Sequence, residues 1–119
     1  MKLKKIISKL SLEEKVSLLS GFDNWYTPDI KKYGIPKIKM SDGPNGVRGD
    51  SSTPQTSACF PSPILLGATW NEKLIKKIGS ATGEEALYKD VDVLLAPTIN
   101  LHRHPLGGRH FECYSEDPV

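Results

Sequence analysis

The segment that most constrains the fold is Asp92-Val93-Leu94-Leu95-Ala96, ended by Pro97. It is too short for a helix and apolar at successive positions. Both of its faces therefore have to be covered, as in a strand buried inside a parallel sheet. A parallel strand needs a crossover before it, and the preceding segment supplies one. Asn71 reads as the cap of a helix carrying Leu74, Ile75, Ile78, Ala81, Ala86 and Leu87. Gly79 and Gly83 lie four apart on that helix, a spacing suited to close helix packing. Further back, Ile64-Leu65-Leu66 before Gly67 reads as a second strand, and Lys37-Ile38-Lys39-Met40 as a first. A capping box, Ser11 with Glu14, opens an earlier helix whose stripe is Leu12, Val16 and Leu19, with Gly21 as its stop. The order helix, strand, loop, strand, helix, strand predicts parallel β/α architecture. Three strands do not close a barrel, which needs about eight.

Composition excludes several classes of function. The 119 residues hold 16 Lys and Arg against 14 Asp and Glu. That balance lacks the basic stripe of a nucleic-acid surface. Lys2, Lys4, Lys5 and Lys9 read as one solvated helix face. No apolar run approaches a membrane span, and Met1–Leu10 lacks the continuous apolar core of a signal peptide, so the expected compartment is the cytosol with no membrane partner. Cys59 and Cys113 match no zinc spacing and are expected as buried or half-buried free thiols. His102, His104 and His110 are two and six apart with no acidic ligand at a motif distance, so no metal is expected. No phosphate loop or dinucleotide fingerprint is present, and no cofactor is expected.

The polar clusters follow strand ends, where α/β folds bind ligands. Asp42-Gly43-Pro44 is either a plain turn or a carboxylate presented at a strand's carboxyl end, where it could accept hydroxyl hydrogen bonds from a sugar diol. Arg48, Arg103 and Arg109 are either exposed solubilising charge or fixed donor forks on the same edge. Glu112 reads as a partner that holds an arginine, and Glu84-Glu85 as a solvent-facing pair. Phe22, Trp25 and Tyr26 form an aromatic loop, for packing or as a platform for a sugar ring. Gly49–Pro63 reads as a long polar loop, and Asp117-Pro118 as the start of a helix.

Several of these segments, in order, resemble glycoside hydrolase family 3, and its β-glucosidase branch in particular. The opening helix Leu12–Gly21 is similar to that of the family. So are Gly34-Ile35-Pro36 with Ser41-Asp42-Gly43-Pro44-Asn45-Gly46-Val47-Arg48, and Phe60-Pro61-Ser62-Pro63 with Gly67-Ala68-Thr69-Trp70-Asn71. Asn100-Leu101-His102-Arg103, Gly107-Gly108-Arg109-His110-Phe111-Glu112 and Ser115-Glu116-Asp117-Pro118 complete the set. The resemblance implies that residues 1–119 are the N-terminal part of a (β/α)8 TIM-type barrel, roughly its first three strands and their helices. The later barrel and an α/β sandwich domain would lie outside them. It implies retaining hydrolysis of a β-glucoside or short β-linked oligosaccharide by an Asp nucleophile and a separate acid/base, both beyond Val119. What carries over is sugar binding: Asp42 for distal hydroxyls, Arg48 and Arg109 as its cationic partners, Arg103 as a weaker candidate. Glu112 and His110 would stand behind them, His110 at a position where the family often has Asn. The segment alone is then expected to be inactive. A non-catalytic sugar-binding module and an inactive gene remnant are the rival readings.

Overall fold

A computed structural model describes residues 2–49 and 55–118. Residues 50–54 of the expected Gly49–Pro63 loop lie outside the described residues. The chain divides into two compact units, residues 1–40 and residues 41–119.

In the first unit, helix α1 (Lys2–Ile7) is followed by α2 (Leu12–Ser17). Ser11 caps α2 as its sequence demands. The Glu14 amide donates to Ser11 Oγ at 3.2 Å, and the Ser11 amide donates to Glu14 Oε2 at 2.9 Å, so both unpaired donors find acceptors. The helix is shorter than expected. It closes on Leu18, and Gly21 lies beyond its end. The Leu12, Val16 and Leu19 stripe is exposed. Residues 22–40 fold back on themselves: the Met40 amide donates to the Trp25 carbonyl at 2.7 Å, and Tyr26 and Lys39 form an antiparallel bridge. Lys37–Met40 does not form the expected strand. The Ile38 amide donates to the Thr27 hydroxyl at 2.9 Å, which takes the donor that a continuous ladder would have used.

Strand β1 (Met40–Asp42) instead begins where that segment ends. It pairs with β2 (Val93–Leu95), inside the predicted Asp92–Ala96 segment, in a small parallel two-stranded sheet. The connection runs through α3 (Pro63–Ala68) and α4 (Glu72–Tyr88). The expected strand at Ile64–Leu66 is therefore part of a helix, and the described chain has two strands rather than three. Pro63 explains the difference: it presets φ at the first helical position, where its missing N–H costs nothing. Pro63 and Leu66, three apart, are the buried pair of that turn. Helix α4 starts as predicted, with the Leu74 amide donating to Asn71 Oδ1 at 3.1 Å. Gly79 and Gly83 make no close packing; an added Cβ at either would meet open space. Cys113 is buried as expected, whereas Cys59 is exposed because it lies on the polar loop. No described helix is long and apolar enough to cross a membrane.

Candidate functional site

The site grows from the end of β1. Ser41 is fully buried, and its hydroxyl both donates to the Asp42 carbonyl and accepts the Gly49 amide, each at 2.9 Å. Asp42 follows on the opposite face of the strand and is exposed. The chain then turns through Pro44 and Asn45 to Gly46, at φ 138°. Only glycine fits there, because a Cβ would lie 2.0 Å from the Ala58 carbonyl oxygen. The turn brings Arg48 back beside the strand. Its amide donates to the Asp42 carbonyl at 3.0 Å, and its Nη1 lies 3.4 Å from Asp42 Oδ2. Asp42-Gly43-Pro44 is thus both a turn and a presented carboxylate.

The second part of the site is the loop after β2. His110–Glu112 is a single 3-10 turn that carries Glu112 just after Arg109. Arg109 donates through Nε to Glu112 Oε1 at 2.9 Å and through Nη2 to Glu112 Oε2 at 2.6 Å. This two-point fork fixes the guanidinium plane. The Glu112 hydrogen bonds raise the Arg109 pKa, and the Asp42 carboxylate adds to the rise. The Arg109 fork in turn holds the Glu112 carboxyl below its ordinary range. Arg103, Arg109, His110 and Glu112 line a shallow cleft of about 260 Å³ together with Asn100 and Cys113. The fold therefore gathers Asp42 with Arg48, lets the Asp42 charge act on Arg109, and lines one cleft with both Arg103 and Arg109.

Two of the histidines hold the loop through ring hydrogen bonds. His102 Nε2 lies 2.8 Å from the His110 carbonyl and 3.1 Å from the Cys113 carbonyl. Both partners are acceptors, so that nitrogen carries the hydrogen. His104 Nδ1 accepts the Leu106 amide at 3.2 Å. Among the described residues no three His, Cys, Asp or Glu side chains are grouped to hold a metal. In the first unit the ammonium of Lys37 sits 3.6 Å from the centre of the Phe22 ring, which covers one face of that aromatic.

Sequence reasoning missed one feature beside this site. Glu85 is not solvent-facing like its neighbour Glu84. Its side chain is 15% exposed and paired with Lys89 at 2.8 Å. Lys89 is buried and also reaches the Val47 carbonyl at 2.7 Å. Burial pushes the Glu85 carboxyl up, but the hydrogen bonds from Lys89 and the Ala58 amide outweigh it and hold the pKa below its ordinary value. The four-residue spacing of Glu85 and Lys89 on a helix was the available signal.

Comparison with known proteins bears on the family and the fold. A β-glucosidase of Rhizobium radiobacter is 57% identical over 116 residues, covering 96% of this chain and 14% of that protein. β-Glucosidase B of Emericella nidulans is 54% identical over 95% of this chain and 14% of its own length. The crystal structure of a Kluyveromyces marxianus β-glucosidase in complex with glucose superposes with a TM-score of 0.88 at 43% identity, over 98% of this chain and 14% of that one. The chain thus spans about 14% of the length of these relatives. The glycosyl hydrolase family 3 N-terminal domain matches residues 5–119, and the chain accordingly belongs to that family.

Proposed function

We propose that residues 1–119 are the sugar-holding segment of a longer retaining β-glucosidase, in which Asp42, Arg48 and Arg109 grip the hydroxyls of the terminal glucose. The observation that carries this reading is the exposed Asp42 carboxylate at the carboxyl end of β1, with Arg48 against it and the Arg109 charge nearby. A carboxylate accepts two hydroxyl hydrogen bonds at once, and guanidinium groups donate to the remaining ring oxygens. Such contacts orient the sugar and strengthen as its ring flattens toward an oxocarbenium-like transition state. The glucose held by the Kluyveromyces marxianus relative supports this substrate class.

The displacement itself falls to other segments. Retention needs a nucleophile and a general acid/base about 5–5.5 Å apart. A general acid needs a raised pKa, whereas Glu112 is held low with both oxygens on Arg109. We place β1, the two connecting helices and β2 as one βαβ unit of a (β/α)8-type barrel, with Asp42 and the loop after β2 at its carboxyl face.

The test is to express the complete reading frame that carries this segment and follow aryl β-D-glucoside hydrolysis by NMR. The expected result is aryl release with β-glucose as the first product, and no release by 1–119 alone above a protein-free control. Absence of turnover, or α-glucose appearing first, would overturn the reading. Glucose binding by 1–119 without turnover in the complete frame would favour a binding module instead.

A further inference from the structure

We infer that Lys89, with Glu85, is a positioning residue that clamps the loop after β1 and so sets Arg48 against Asp42. The inference rests on the proposed role of Asp42 and Arg48 in sugar binding. Lys89 stands immediately after α4, and among the described residues its ammonium reaches the Val47 carbonyl at 2.7 Å, Ser57 Oγ at 2.5 Å and Glu85 Oε1 at 2.8 Å. The same acceptors hold one another. Ser57 Oγ donates to the Val47 carbonyl at 2.7 Å, and the Ala58 amide donates to Glu85 Oε1 at 3.0 Å. Both sides of the loop are therefore tied to the end of α4. Val47 is fully buried, so its carbonyl has no bulk water to fall back on.

Arg48 sits between two fixed points. On one side is the Val47 carbonyl; on the other is the Gly49 amide, which donates to the buried Ser41 hydroxyl at 2.9 Å. With both neighbours fixed, the backbone of Arg48 has little freedom and its side chain starts from a set position. A buried ammonium without its acceptors, or acceptors without their ammonium, would force the loop to rearrange toward water. The guanidinium would then leave Asp42, and sugar affinity would fall although no contact with the sugar had been removed.

The test uses the complete protein, with KM and kcat for an aryl β-glucoside. Lys89→Met is expected to raise KM by roughly tenfold and leave kcat within about threefold, as for a loss of binding rather than chemistry. Glu85→Gln with Lys89→Met removes both buried charges, keeps the fold testable, and is expected to show the same split. Ser57→Ala removes only the bridging hydroxyl of an exposed residue and is expected to raise KM by a smaller factor. In an Arg48→Met background, Lys89→Met is expected to add nothing further to KM, which a general loss of stability would not reproduce. Unchanged KM in the folded double variant, or full additivity with Arg48→Met, overturns the inference. Unchanged KM in Asp42→Ala and Arg48→Met overturns the sugar-binding reading and this inference with it, a pattern distinct from failure at Lys89 alone.

Discussion

Replacing Asp42 by Ala separates a binding carboxylate from a structural one, because the two roles predict effects of different size in different assays. Among the described residues, the Asp42 side chain pairs with Arg48 at 3.4 Å, the two side chains being 52% and 67% exposed. At that separation in a water-like dielectric the attraction is about 1 kcal/mol, and exposed pairs return about 0–1 kcal/mol of stability. Loss of the pair should therefore lower the melting temperature by no more than a few degrees. The backbone carbonyl of Asp42, which accepts the Arg48 amide, survives the substitution. Catalysis should respond far more. Two hydrogen bonds from sugar hydroxyls to a charged acceptor are worth about 1.5–3 kcal/mol each, or about 3–6 kcal/mol together. That corresponds to a loss of roughly two to four powers of ten in kcat/KM. The assay is aryl β-glucoside hydrolysis by the complete protein beside a thermal melt of the same sample. A kcat/KM within about tenfold of the parent, with an unchanged melt, would refute the assignment of Asp42 as a sugar contact. A large fall in melting temperature would show that the carboxylate serves the fold.

Three further outcomes follow from the geometry. Gly46→Ala meets the Ala58 carbonyl oxygen and a φ of 138°, so it should cost at least about 1–3 kcal/mol in backbone strain and weaken sugar binding through the displaced loop; an unaltered melt and KM would contradict this. Ser11→Ala removes one arm of the capping box and should cost about 0.5–2 kcal/mol, read as faster amide exchange over residues 12–18, with sugar affinity unchanged. On acidification, Glu85 and Glu112 have pKa values below the ordinary 4.5, so the stability they lend is complete above that value and is lost as pH falls through their lowered folded values. The melting temperature should decline below about pH 4.5, and Glu85→Gln should flatten that decline; an equally steep decline in the variant would contradict the linkage.

What was legible in the sequence was whatever depended on local chemistry. Ser11 with Glu14, Asn71 before its helix, and the doubly apolar Val93–Leu95 each carry their instruction within a few residues. Ile64–Leu66 did not, because three apolar residues have no period to read. The proline before them decided the matter, and its meaning at a first helical turn is lost if the run is taken for a strand. Lys37–Met40 alternated correctly, but its pairing failed at a side chain eleven residues away, the Thr27 hydroxyl. The site shows the same division. Asp42 and Arg48 are close in sequence and meet through one turn. The buried Lys89 ammonium contacts Val47 from 42 residues away, a contact that no local pattern announces.

The two ion pairs of this loop differ in a way that suits different tasks. Lys89 and Glu85 are 2.8 Å apart and largely out of water; Asp42 and Arg48 are 3.4 Å apart and open to it. A recognition pair that held itself tightly would have to be broken before a sugar hydroxyl could enter, and each broken charge-assisted bond would be subtracted from affinity. A loose pair with nothing behind it would spend binding energy on ordering the loop. Fixing the backbone through the buried pair removes that second cost, and the exposed 3.4 Å contact between Asp42 and Arg48 costs little to exchange for sugar hydroxyls. Arg109 solves the same problem from its own side chain. Glu112 takes the edge formed by Nε and Nη2, which locks the guanidinium plane, and the Nη1 hydrogens lie outside that fork. Orientation and recognition are thus carried by different atoms in both halves of the site. Substitutions at Glu112 and at Lys89 should therefore act on sugar affinity through their arginines, while the chemical step keeps its own rate.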